Sequence, residues 1–523
     1  MRILSLSFFL IICASCNTEN TNSNNIAEID LKRGQIISCG PVDGAIYGTV
    51  TFETSLTEAY KKDFNTGIAL LHSFEYDESE KMFAKIIDKT PDCAMAYWGV
   101  AMSNFHPLWA PPSSEELEKG AKAVEIAKSI RSKSKRESDY IDAIGQYYKD
   151  VDKLDHRSRV LKFESAMEAI YNTYKEDREA PIFYALALNA AADPKDKTYS
   201  RQRKAFEILN PIFQQQPFHP GLAHYIIHNM DYPGLAELAL PAARKYAGIA
   251  PASAHAQHMP SHIFTRLGLW DECIQSNLVS VSSAKCYAKQ AGINGHWDEE
   301  LHGMDYLVYA YLQEKRYDEA KQQLDYLKTI TDVYPVNFKD AYAFAAIPAR
   351  FALERKDWKM ASELQLHPAN FPWKDFPWQE AIIHYAKALG FAHLDKLSEA
   401  EKKLNTLKLL YQLLSNKKNK AIEAAHVEVQ IESAEAWIEF AKGNKQKARE
   451  LMMTAAAKED ALEKHPVTPG SVLPARELLG EMLLDLREYK LAEEAFEEDL
   501  RVNPNRSNGI EGLKKARGKA SNS

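Results

Sequence analysis

The clearest indication of the fold is the sequence of Gly67–Pro91, GIALLHSFEYDESEKMFAKIIDKTP. Its small, aromatic and proline residues stand at steps of twelve, four and eight, at Gly67, Ser79, Phe83 and Pro91. A second stretch near the other end of the chain, GEMLLDLREYKLAEEAFEEDLRVNP, keeps the same steps at Gly480, Ala492, Phe496 and Pro504. A pattern that recurs at opposite ends of a chain indicates an internal structural repeat.

The repeated residues are of the types that pack two antiparallel helices together. Small residues allow two antiparallel helices to approach closely, the aromatic residue fills the remaining gap, and proline opens the next helix. Weaker copies of this helix, turn and helix pattern lie between the two stretches, with turns at Lys315–Ala320, Lys356–Ala361, Asp395–Ala400 and Gly443–Ala448. They follow one another at 39 to 48 residues, which is longer than a 34-residue unit and predicts extended helices or loops.

These residues resemble the tetratricopeptide-repeat (TPR) family over residues 57–515. The resemblance implies an all-α, TPR-like α-solenoid, a right-handed superhelix of antiparallel helix pairs whose first helices line a concave groove. Apolar residues recur at helical spacing from about Thr57 onward. We therefore expect residues 31–56 to form an extended lead-in and residues 516–523 to form a disordered tail.

Three further runs carry a narrower resemblance. They are LLHSFEY at Leu70–Tyr76, CAMAYWGVAM at Cys93–Met102 and HMPSHIFTRLGLW at His258–Trp270. These runs resemble a group of exported bacterial repeat lipoproteins with an HMPSHIF-type histidine motif. The group has no established activity, so this resemblance bears on the fold and not on the function.

The N-terminus has the pattern of a lipoprotein signal peptide. Arg2 is followed by the apolar run Ile3–Ile12, which is too short to span a bilayer. The run closes on Cys13-Ala-Ser-Cys16, with Cys13 where such signals usually carry leucine. We expect a signal peptide over residues 1–16, a lipid on Cys16 and a polar tether over residues 17–30. The alternative is ordinary signal-peptidase cleavage near Ala14.

Charge and cysteine content narrow the class of protein. The formal net charge is −7 with both signs mixed along the chain, which argues against a nucleic-acid partner. Four cysteines follow the predicted signal: Cys39, Cys93, Cys273 and Cys286. Cys273 and Cys286 fall on one predicted helix, too far apart to pair with each other. Cys39 and Cys93 form either a disulfide or two buried thiols.

The histidines are unevenly distributed. Eight of the sixteen lie between His219 and His302, on three predicted groove-lining helices. His224 and His228 share a helix face, as do His258 and His262, and Pro260 can kink the second helix. Imidazole binds Zn, Cu and Fe, so the pattern predicts a divalent-metal site on one patch, weakening below about pH 6. Its candidate ligands are His224, His228, His258, His262, His255 and His302. Four acids could act as outer carboxylates behind the histidines, add one ligand, or simply be solvated: Asp231, Asp298, Glu299 and Asp305.

Two functions remain open from the sequence. The first is a cell-envelope TPR lipoprotein that binds a protein, a peptide or a glycan in its groove and carries a histidine metal site. The second is a metal-dependent hydrolase or oxidoreductase that uses the same histidines. The histidines could instead cap helices, bond to carbonyls or line a peptide groove. In either function we expect the protein to be exported, held at the outer membrane by its lipid anchor alone and facing the periplasm.

Overall fold

The structure is a computed structural model that describes residues 29–44, 46–108 and 111–521. The predicted signal peptide, Cys16 and most of the predicted tether lie outside the described residues. Within them, residues 31–56 contain no regular helix or strand, as predicted for the lead-in, and the first helix begins at Glu58. No helix of the described part has the length and apolarity needed to cross a membrane.

The chain folds as an all-α, TPR-like solenoid in which successive helices pack against each other along the sequence. Short turns of a few residues join them into helix pairs. The helices are α1 Glu58–His72, α2 Tyr76–Lys89, α3 Ala94–Ser103, α4 Ser114–Ser129, α5 Lys135–Tyr148, α6 His156–Thr173, α7 Ala180–Ala190, α8 Ser200–Gln215, α9 Pro220–Met230, α10 Ala236–Ile249, α11 Ala254–His258, α12 Pro260–Leu267, α13 Trp270–Ala291, α14 Asp298–Gln313, α15 Tyr317–Leu327, α16 Phe338–Leu353, α17 Trp358–Glu363, α18 Pro377–His393, α19 Leu397–Ser415, α20 Ala421–Ala441, α21 Lys445–Ala461, α22 Ala475–Asp485, α23 Tyr489–Val502 and α24 Ser507–Ala520. Strands β1 His296–Trp297 and β2 Val333–Tyr334 form one short parallel pair.

The packing at the two ends of the solenoid explains the repeated residues. The Phe83 ring lies between Gly67 of α1 and Gly99 of α3, where added Cβ atoms would come within 2.9 and 2.5 Å of the ring. The Ser79 hydroxyl donates a hydrogen bond to the Gly67 carbonyl at 2.9 Å. Phe496 lies in the same way against Gly480 and Gly512, with Cβ distances of 2.6 and 2.2 Å. The helix-pair interpretation of the repeat is therefore confirmed.

The lead-in is tied to the middle of the solenoid. Its backbone bonds to the loops around α9 and α10, with the Thr49 N–H donating to the Phe218 carbonyl at 2.9 Å. A disulfide joins Cys39 to Cys286 of α13, with their Cα atoms 5.8 Å apart. The alternatives drawn from the sequence are therefore wrong for Cys39, because the lead-in places this cysteine beside Cys286 of α13. Cys93 and Cys273 are buried free thiols.

The C-terminal end of the chain returns to the centre of the solenoid. The buried Arg506 guanidinium donates to the Tyr309 hydroxyl at 2.8 Å and to the carboxylates of Glu354 and Glu477 at 2.8 and 3.0 Å. Helix α24 continues to Ala520 and buries Ala516 completely. The predicted tail from residue 516 is thus wrong over residues 516–520, because Ala516 packs into the core.

Several histidines of the C-terminal half are stacked core residues. His426 stacks on Trp378 with ring centroids 4.9 Å apart, and His465 stacks on Phe338 at 4.3 Å. Burial lowers the pKa of His426 to about 4 and that of His465 to about 3. These imidazoles are neutral at pH 7, and they account for part of the histidine content without any ligand.

The repeat packing predicts the effect of one methyl group. Gly99→Ala places a Cβ atom 2.5 Å from the Phe83 ring, so we expect overpacking to lower the free energy of unfolding by about 1–3 kcal/mol. Urea denaturation followed by circular dichroism measures the change. The matched control is Gly248→Ala in α10, where nothing lies within 4 Å of the new Cβ. Equal denaturation midpoints for the two variants would contradict the packing account.

The stacked histidines predict acid sensitivity. Above pH 6.5 the His426 imidazole is neutral in both the folded and the unfolded chain. Below pH 6.5 the unfolded chain takes up the proton first, so stability falls until the pH reaches the folded pKa of about 4. His426→Phe keeps a stacked ring and removes this loss, which amounts to about 1–3 kcal/mol. Denaturation curves at pH 7, 6 and 5 test this, and parallel losses in parent and variant would show that His426 does not contribute.

Candidate metal centre

Four helices carry the predicted ligand residues. Pro220 opens α9, which carries His224 and His228. His255 and His258 lie on α11, which ends where Pro260 opens α12, the helix of His262. His302 lies on α14. The predicted interruption of the helix at Pro260 is therefore present between His258 and His262.

The structure brings all six histidines close together but sorts them into two sets. His224, His228 and His255 form triad A, and His258, His262 and His302 form triad B. Within each triad, one ring nitrogen from each member lies within 4.8 Å of the others. The triads adjoin each other, since the His228 and His262 ring centroids are 6.3 Å apart.

This grouping differs from a single site built from the pairs His224–His228 and His258–His262. His255 and His258 are three residues apart on one helix, which turns their side chains by about 60° from each other. His255 therefore faces α9, whereas His258 faces α13 and α14. The divergence within α11 makes two sets of three.

Triad B has well-defined hydrogen bonds. The His258 Nδ1 lies 2.7 Å from Asn277 Oδ1, and the Asn277 amide nitrogen is already bonded to the Cys273 carbonyl at 2.8 Å. The amide orientation is thereby fixed, and the His258 Nδ1–H donates to the oxygen. On the other ring, the His262 Nδ1–H donates to the Asp231 carboxylate at 3.0 Å.

The hydrogen bonds at Nδ1 determine whether the Nε2 atoms of His258 and His262 carry a proton. A neutral imidazole carries one N–H, and in His258 and His262 that N–H is at Nδ1. Their Nε2 atoms are therefore both unprotonated, and they face each other at 3.1 Å. Two lone pairs at that distance repel unless a cation lies between them. Nitrogen ligands of a tetrahedral zinc ion are about 3.3 Å apart, given Zn–N bonds of about 2 Å.

The Tyr306 hydroxyl does not relieve the repulsion between the two Nε2 atoms by donating a hydrogen bond to His262 Nε2. It lies 3.4 Å from both nitrogen atoms of His262, so it is not aligned with the Nε2 lone pair. The hydroxyl also donates to the Val467 carbonyl at 3.3 Å. Tyr306 instead forms an aromatic wall, with ring centroids 4.7 Å from His258 and 5.5 Å from His302.

Triad A has one fixed tautomer, that of His224. The His224 Nδ1–H donates to the backbone carbonyl of His72 at 2.6 Å, which leaves His224 Nε2 unprotonated. That nitrogen lies 3.2 Å from His255 Nε2. On its other side, His255 Nδ1 is 3.7 Å from a Glu299 carboxylate oxygen. Phe74 covers the set, with its ring centroid 4.4 Å from that of His224 and 5.6 Å from that of His228.

Burial favours the neutral form of five of the six imidazoles. His224 and His258 are 0% exposed and His255 is 8% exposed. Burial lowers the pKa of His262 to about 4. It also holds the pKa well below the ordinary value at His224, His228, His258 and His302. Neutral imidazole is the form that binds metal ions.

Asp231 orients triad B from outside. One of its carboxylate oxygens accepts from His262 Nδ1 and from Lys464 at 2.7 Å, and the other accepts from Arg266 at 2.8 Å. Burial alone would raise the pKa of Asp231, but Lys464 and Arg266 hold it well below the usual range. A carboxylate behind a ligating histidine fixes its tautomer and raises its basicity, so Asp231 occupies the position predicted for an outer carboxylate.

The other three predicted carboxylates differ in whether they lie beside a triad histidine. Glu299 lies beside His255 and is bound by Lys339 at 2.6 Å, whereas Asp298 bonds to Lys339 and Asn337. Asp305 pairs with the buried Arg350 and contributes to the core rather than to the triads. The prediction of an outer carboxylate thus applies to Asp231 and Glu299.

A third buried group was missed by the sequence reasoning. The Glu179 carboxylate lies between His72 Nε2 and His219 Nε2, each at 2.9 Å, and the Tyr225 hydroxyl lies 2.9 Å from His72 Nδ1. The two imidazoles, against the effect of burial, lower the pKa of Glu179 to about 2. The Glu179 carboxylate has a hydrogen-bond partner in each of these imidazoles. It fixes the position of His72, and the backbone carbonyl of His72 in turn orients His224.

A loop lies over the groove beside triad B. The segment of residues 462–474 between α21 and α22, here the cover segment, crosses the site. Lys464 of this segment binds Asp231, and the Val467 carbonyl accepts from Tyr306. Its Gly470 carbonyl accepts from Arg350 at 2.7 Å. The predicted open groove is therefore filled by the chain itself at this point.

Comparison with known proteins concerns architecture alone. No protein-family model matches the chain, and no curated protein matches it. Similar solved structures include yeast Tom70, with a TM-score of 0.34 and 11% identity over 89% of this chain and 96% of that one. The TPR domain of P58(IPK) has a TM-score of 0.22 and 11% identity over 89% and 99% of the two chains. Naa15/Naa10 bound to HypK-THB has a TM-score of 0.19 and 12% identity over 89% and 97%. At these scores the likeness says nothing about ligands.

Proposed function

We propose that this protein is a metal-binding TPR-like protein that holds one ion in each histidine triad. The observation that carries the proposal is the facing pair of Nε2 atoms at 3.1 Å in triad B, both unprotonated because each Nδ1 is committed as a donor. A buried cation removes this repulsion. Triad A, in which one ring nitrogen from each of three buried imidazoles converges within 4.8 Å, offers a second site.

The surroundings support holding a metal rather than turning over a substrate. Both triads are buried, and the cover segment closes the groove above triad B through Lys464 and Val467. A substrate would have to displace that segment to reach the ligands. A helical-repeat fold is also suited to binding a protein or peptide in its concave groove, and this partner stays a prediction.

The metal proposal is tested by composition. We expect the parent, purified with metal present and then desalted, to carry two metal ions per chain by elemental analysis. The double variant His258→Ala with His262→Ala removes two of the three ligands of triad B, so we expect it to carry one. The matched control is His393→Ala, because His393 stacks on Trp358 outside the triads. Circular dichroism verifies that each variant is folded, and a folded parent without stoichiometric metal would refute the proposal.

We also propose that the protein is exported and anchored at the outer membrane, facing the periplasm, through a lipid on Cys16. The signal-like N-terminus and the polar tether support this location. The Cys39–Cys286 disulfide adds independent support, since such bonds persist mainly in oxidising compartments outside the cytosol.

The anchor has a direct test. In Cys16→Ser the lipid has no attachment point, so we expect the protein to move from the membrane fraction to the soluble fraction. Phase partitioning in detergent followed by immunoblotting measures the shift. Cys93→Ser serves as the matched control, because Cys93 is a buried thiol far along the chain. Detergent partitioning of the Cys16 variant equal to that of the parent would count against a lipid anchor.

A further inference from the structure

Three features of the triads bear on which metal they hold. The first is the ligand set itself. All six predicted ligands are imidazoles, and the nearest carboxylates, Asp231 and Glu299, face Nδ1 atoms on the outer sides of His262 and His255. Mg, Ca and Mn favour carboxylate oxygens, and non-haem iron sites typically include one. Among common ions, imidazole without carboxylate favours zinc and copper.

The second feature is the separation of the two triads. His255 and His258 are neighbours on α11, and the rings of His228 and His262 are 6.3 Å apart. The His258 and His302 rings lie only 4.1 Å apart within triad B. Two ions bound at these triads would share the buried region around the six histidines, here called the chamber, in which the rings of His228 and His262 are neighbours. Each ion would therefore feel the charge of the other strongly.

The third feature is the charge around the chamber. The Asp231 carboxylate is offset by two cations, Arg266 and Lys464. The Glu299 carboxylate is offset by Lys339 at 2.6 Å. Lys339 also pairs with Asp298, so the three carboxylates beside the triads are matched by three cations and no net negative charge remains to balance bound ions. The cost of burying an ion rises with the square of its charge, so a divalent ion costs about four times as much as a monovalent one.

We propose that the two triads form one binuclear centre that selects copper and binds it as two Cu(I) ions. This inference rests on the proposed metal-binding function and names its metal. Two Cu(I) ions add two positive charges to the chamber, whereas two Zn(II) ions add four. Neutral imidazoles suit copper, and three of them per ion complete a low-coordinate site without an anionic ligand.

The test is a competition between metals. The chelator-stripped full chain is titrated without oxygen with Cu(I), using bicinchoninate as the competing chromophore, and in parallel with Zn(II) and a zinc chromophore. We expect two Cu(I) per chain, and at least tenfold preference for Cu(I) when both metals are present. X-ray absorption at the copper edge should show the low-energy feature of Cu(I) and nitrogen ligands only.

Variants separate the two parts of the proposal. His302→Ala removes one ligand of triad B, so we expect one tight Cu(I) and a second that is weakened at least tenfold, with His393→Ala unchanged from the parent. Tight binding of two Zn(II) that Cu(I) does not displace would overturn the copper assignment and leave the metal function intact. A single ion per chain would overturn the binuclear centre. Binding of neither metal would refute the proposed function itself.

Discussion

The repulsion between two unprotonated nitrogen atoms is the constraint on which the interpretation of this protein depends. His258 donates its one N–H to Asn277, and His262 donates its one N–H to Asp231. Their Nε2 lone pairs are then held 3.1 Å apart in a site where burial keeps both rings from being protonated at neutral pH. The fold stabilises this arrangement only by fixing both outer acceptors, and a bound cation converts the repulsion into attraction.

Much of the surrounding structure fixes those acceptors. Asp231 is held by Arg266 from α12 and by Lys464 from the cover segment, which lies 233 positions from Asp231 in sequence. On the other side, the His72 carbonyl that orients His224 belongs to a residue whose ring is bonded to Glu179. Buried polar groups of this kind are costly unless every member is bonded. The solenoid thus brings distant segments together around a small set of imidazoles.

The sequence predicted the architecture well because the fold is local. Gly67 and Phe83 belong to one helix pair, so their spacing is a local pattern, and in the structure the Phe83 ring packs against Gly67. The i, i+4 spacing of His258 and His262 was also sufficient to place their nitrogen atoms together. By contrast, the division into two triads depends on how α11 turns His255 and His258 towards different neighbours. The contacts of Asn277, Glu179 and Lys464 depend on tertiary packing, and no local pattern identifies them. The pairing of Cys39 with Cys286 was missed for the same reason, since 247 residues separate them.

The most direct test of the central claim is a crystal structure of the metal-loaded protein, with anomalous difference maps recorded above and below the metal absorption edge. We expect one anomalous peak between the Nε2 atoms of His258 and His262, about 2 Å from each. We expect a second peak between the Nε2 atoms of His224 and His255. The distances from Nδ1 to Asn277 and to Asp231 should be unchanged on loading. Loaded crystals with no peak at either position, or with peaks only on exposed histidines, would contradict this claim.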